Sequence, residues 1–83
     1  MSITISKNSN CYYLDSPYGR INLFVTNNKK IDIKSLIPYV NLNEEQINEL
    51  EWYDVDKILI DNNKEDLCRY FNYLLFEYLT DFK

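Results

Sequence analysis

Polar and apolar positions alternate at the start of the chain. Ile3 and Ile5 interleave with Ser2, Thr4 and Ser6, Lys7-Asn8-Ser9-Asn10 supplies turn residues, and residues 11–15 form a second β-prone run. Ser16-Pro17-Tyr18-Gly19 has proline in second place and glycine in fourth, the pattern of a type I turn, and residues 20–26 follow as a third strand. A three-stranded antiparallel meander is the economical arrangement. Asn27-Asn28-Lys29-Lys30 then either closes it or feeds a further strand at Ile31 and Ile33.

Helical signals begin after that turn. Asp32 or Ser35 is placed to cap a short helix through Leu36 and Ile37, and Pro38, with no amide hydrogen, keeps it short. Further on, Asn43 and Gln46 have the spacing of a capping box, Leu42 and Ile47 that of a hydrophobic staple, and Glu44 and Glu45 fall in the first turn. These features predict a helix over 44–53, with Ile47, Leu50 and Tyr53 inward and Glu45, Asn48, Glu49 and Glu51 outward. Residues 55–61 predict a strand, because Ile58-Leu59-Ile60 suits the interior of a sheet. Asn63 is then the expected cap of a last helix over 64–82. Leu67, Phe71, Leu74 and Tyr78 recur every three or four residues along it and form one apolar stripe. The whole predicts a single α+β domain spanning 1–83, in the order β-β-β-(α)-α-β-α. Its antiparallel sheet has about four strands, with helices packed on one face.

Composition sharpens this picture. At 83 residues and 46% hydrophobic content the chain has enough apolar surface to fold, yet little volume for a large cleft between lobes. It contains no histidine, which removes the commonest acid/base group and metal ligand, and its single glycine, Gly19, excludes the glycine-rich phosphate loops. No apolar run approaches the roughly 20 residues of a membrane span, and the first residues lack the pattern of a signal peptide. Cys11 and Cys68 stand far apart without a C-x-x-C partner, the pattern of buried small hydrophobes in a reducing compartment, with a disulfide or reactive thiol as the alternative. A cytoplasmic setting is the expectation. The absence of alanine beside abundant Asn, Ile, Lys and Tyr has the character of an AT-rich coding sequence, such as that of a low-GC bacterium or its phage.

Candidate chemistry is sparse. Asp61, Asn63 and Glu65 match the first, third and fifth positions of a calcium loop, but Asp66 stands where its glycine belongs and Asn72 where its bidentate glutamate belongs. The cysteines have no histidine to activate them, and no serine lies in a nucleophile-elbow pattern. The expectation is therefore a protein that is not an enzyme and needs neither metal nor cofactor.

Charge is distributed unevenly. Residues 1–40 carry five basic side chains against two acidic ones, whereas residues 41–83 carry four against eleven. Glu44, Glu45, Glu49, Glu51, Asp54 and Asp56 fall in one stretch without a basic residue among them, and are the candidate partner-binding surface. Such carboxylates can occupy a basic groove where phosphates would otherwise lie, and long-range attraction speeds the encounter. The same sign argues against direct binding of nucleic acid. A second candidate contact is the aromatic side of the last helix, Tyr70, Tyr73 and Phe76, suited to a homodimer or a partner.

In size, acidity and coding bias the chain is similar in type to small phage-encoded inhibitors of bacterial nucleases and immune complexes, anti-CRISPR proteins among them. That likeness implies a non-enzymatic inhibitor, a nucleic-acid mimic whose acidic surface occupies a basic site on a host protein. The alternatives are an immunity or antitoxin protein for a cationic toxin nuclease, or a small assembly subunit working through its Tyr/Phe-rich last helix.

Overall fold

The computed structural model describes residues 3–42 and 49–81. It is a small α+β globule with a three-stranded antiparallel sheet, a two-stranded sheet and two α-helices. The predicted meander forms as β1 (Ser6–Asn8), β2 (Cys11–Ser16) and β3 (Gly19–Phe24), in that spatial order. The β2–β3 turn closes with Ser16 opposite Gly19. Ser16 Oγ accepts from the Tyr18 amide at 3.0 Å and donates to the Gly19 carbonyl at 2.9 Å, while Gly19 takes φ +101°, a region that only glycine enters without strain.

After β3 the chain reverses around Thr26, whose hydroxyl accepts from the amides of Asn28 and Lys30, each at 3.2 Å. The further strand then forms as β4 (Ile31–Asp32), in a sheet of its own. Asp32 caps a 3-10 turn over Ile33–Ser35 by accepting from the Lys34 amide at 2.9 Å, one of the two capping choices foreseen. Ser35 is 2% exposed and fully engaged: its hydroxyl accepts from the Phe24 amide at 2.7 Å and donates to the Phe24 carbonyl at 3.4 Å, tying this turn to β3.

Two predicted elements differ. Of the helix expected over 44–53, the start at 43–48 lies outside the described residues, and its end is the strand β5 (Glu49–Leu50), antiparallel to β4. Leu50 pairs with Ile31, and both are buried, so the apolar demand of Leu50 is met by a strand partner in place of a helical stripe. The strand expected over 55–61 is the helix α1 (Asp54–Asp61). Val55 and Leu59, four residues apart, are both fully buried, whereas Ile60 is 50% exposed. The β-branched run is thus overridden by packing of one helical side.

Asn63 also plays a different part. It ends α1 in the left-handed region at φ +60°, with the Lys64 amide returning to the Leu59 carbonyl at 2.8 Å, and the second helix begins without a side-chain cap. That helix, α2 (Glu65–Thr80), buries the predicted stripe Leu67, Phe71, Leu74 and Tyr78, together with Leu75. Against it pack Leu14, Ile21 and Leu23 from the sheet and Val55 and Leu59 from α1, making one continuous core. Tyr39 meets Phe71 edge-on at 5.7 Å. The end of α2 is held to the sheet by Asp81, which accepts from Tyr12 Oη at 2.7 Å and from Lys7 Nζ at 3.0 Å.

Candidate functional site

The six predicted acidic residues divide. Glu44 and Glu45 lie outside the described residues. Glu49 is exposed on β5 and accepts from the Asn28 side-chain amide at 3.0 Å, a neutral donor. Glu51, half-buried just beyond β5, forms an ion pair with Lys30, and hydrogen bonding to Glu51 raises the lysine pKa. Asp54 opens α1 and turns back to accept from the Glu51 amide at 3.3 Å. Asp56 is half-buried, and its Oδ1 is enclosed without a hydrogen-bond partner among the described residues. Two of these carboxylates therefore serve the fold, and the acidic surface is narrower than the linear run of charge.

Between them stand two residues that the sequence reading missed. Trp52 is 48% exposed and Tyr53 58% exposed, in the turn joining β5 to α1. Their rings meet edge-on, with centroids 5.5 Å apart. Tyr53 was expected to face inward at the end of a helix, and the turn points it outward instead. The available signal was the Trp-Tyr dipeptide set among four acids, which includes the only tryptophan of the chain. Side chains of this kind bury large areas at low entropy cost and dominate binding energies.

A second surface lies along α2. Phe76 is 69% exposed and Tyr73 43% exposed, while Tyr70 is half-buried and meets Tyr18 edge-on at 6.1 Å. Tyr73 and Phe76 line an open groove of about 680 Å³ with Ile3, Ile5, Arg69 and Glu77. The predicted aromatic interface is thus split between an outward pair and one ring engaged by the fold.

Neither cysteine is disulfide-bonded, and both are half-buried, Cys11 on β2 and Cys68 on α2. Burial pushes both thiols up, and the charge of Asp56 adds to the rise at Cys68. These are conditions that disfavour the thiolate. Among the described residues no three His, Cys, Asp or Glu side chains come together to hold a metal ion. No helix there is long and apolar enough to cross a membrane.

Comparison with known proteins finds no matching family model, no matching curated protein and no matching solved structure.

Proposed function

We propose that the protein acts by binding another protein, as a non-enzymatic inhibitor that seats residues 49–56 in a basic site of its partner. The observation that carries this reading is the exposed Trp52–Tyr53 pair bordered by Glu49, Glu51, Asp54 and Asp56. An aromatic centre supplies desolvated contact area, and an acidic border supplies attraction and orientation toward a cationic surface. Lys30 pairs with Glu51 in this border, and four carboxylates over residues 49–56 leave the segment an excess of negative charge. The narrower assignment, to inhibitors of nucleic-acid-handling defence complexes, rests on size, acidity and coding bias.

Affinity capture from a low-GC bacterial lysate tests the reading. The expected result is a retained partner that is lost with the Trp52→Ala/Tyr53→Ala double variant, weakened by Glu49→Lys, and released between about 50 and about 500 mM salt. Capture unchanged by all three perturbations would refute it.

A further inference from the structure

The outward side of α2 is complementary to itself. Around Tyr73, helical periodicity places Asp66, Arg69, Tyr70, Phe76, Glu77 and Thr80 on one side of the helix. A twofold axis through Tyr73, with a second α2 running antiparallel, brings Arg69 of each copy opposite Glu77 of the other. The same operation sets Phe76 opposite Tyr70 and the two Tyr73 rings against each other. Every member of this strip is exposed or half-buried in the single chain.

We propose that this face pairs with a second copy of the chain, forming an antiparallel α2–α2 dimer. Charge complementarity selects that occupant. Arg69 makes no ion pair among the described residues, and it lines the groove together with Tyr73 and Phe76. Glu77 shares Lys7 with Asp81, at 3.7 Å against 3.0 Å, so the lysine is committed mainly to Asp81 and Glu77 remains able to meet an arginine. Phe76, the most exposed of the large apolar side chains among the described residues, gains an aromatic contact in the dimer. Ile3 and Ile5 widen the face on one side. A single helix face is a small contact beside the roughly 800 Å² per partner of a standard interface, so the dimer is reversible and depends on protein concentration. This interface shares no residue with the 49–56 surface, and the proposal stands independently of that reading.

Sedimentation velocity on the whole chain, from low to several hundred micromolar, tests it. The wild type is expected to pass from the 10.0 kDa monomer toward twice that mass. Arg69→Glu sets two Glu pairs in opposition and Glu77→Arg sets two Arg pairs in opposition, so each variant alone should dimerise at least about tenfold more weakly. An equimolar mixture of the two regains both attractive pairs and should recover the dimer. Phe76→Ser, an exposed substitution, should also abolish association while far-ultraviolet circular dichroism stays unchanged. A wild type that remains monomeric throughout overturns the proposal and leaves the groove to a different protein. A dimer that survives Phe76→Ser, or a mixture that fails to associate when both variants are folded, overturns it equally.

Discussion

Replacing Leu59 and Ile60, one at a time, by alanine separates the helical packing of residues 54–61 from the strand that their β-branched run suggests. In a strand, Ile58 and Ile60 share one face and Leu59 turns to the other. In α1, Leu59 is fully buried beside Val55 whereas Ile60 is 50% exposed. Leu59→Ala removes a side chain from the centre of the core and should cost about 2–5 kcal/mol. For a chain of 83 residues the unfolding entropy is about 0.17 kcal/mol/K, so each kcal/mol shifts Tm by about 6 °C and the expected fall is about 12–30 °C. A domain this small holds only about 4–12 kcal/mol in total, so the loss is a large share of its stability. Ile60→Ala removes about half as much buried hydrocarbon, and alanine's better helix propensity offsets part of it, which leaves a cost of at most about 1 kcal/mol. Thermal and urea unfolding followed by circular dichroism gives both values. If Ile60→Ala proves the more damaging of the two, the helical assignment and the packing built on it are wrong.

Two further outcomes follow from polar contacts. Ser35→Ala leaves the half-buried Phe24 amide without its acceptor and should cost about 1–3 kcal/mol, so an unchanged urea midpoint would show that the 3-10 turn is not held this way. Desolvation, reinforced by the hydrogen bond to Asp81, pushes Tyr12 up to about 12 from its ordinary 10.0. A raised folded-state value means that this contribution to stability is complete below pH 10 and is lost as pH rises toward 12. The same contact, with that to Lys7, lowers the Asp81 pKa from 3.8, so its contribution is present above that value and lost as pH falls through the lowered one. Nuclear magnetic resonance titration of labelled tyrosine rings should show Tyr12 ionising late, and earlier in Asp81→Asn; ionisation near 10 in the wild type would contradict the contact.

Local chemistry made several elements legible. Pro17 and Gly19 announce their turn because one fixes φ and the other alone accepts φ +101°. The stripe in α2 is legible because five buried side chains repeat over sixteen residues, long enough for the helical period to be unambiguous. The clustering of acidic residues was visible too, but which of them stay available was not. Lys30 reaches Glu51 from twenty-one positions away, and Asp54 turns to its own chain, so linear charge overstated the free surface.

Sequence by itself determined the meander, the long amphipathic helix, the polarity of charge between the two halves and the scarcity of catalytic groups. Each follows from interactions among near neighbours or from composition. Only tertiary structure decided that residues 54–61 form a helix, that Leu50 pairs with Ile31, and that Trp52 and Tyr53 face outward. Residues 58–60 satisfy both a strand and a helix, and short segments of this kind are settled by whichever arrangement buries more apolar surface against distant partners. Here Leu59 and Val55 find that burial in the core formed with α2, and the turn between β5 and α1 leaves the two aromatic rings exposed.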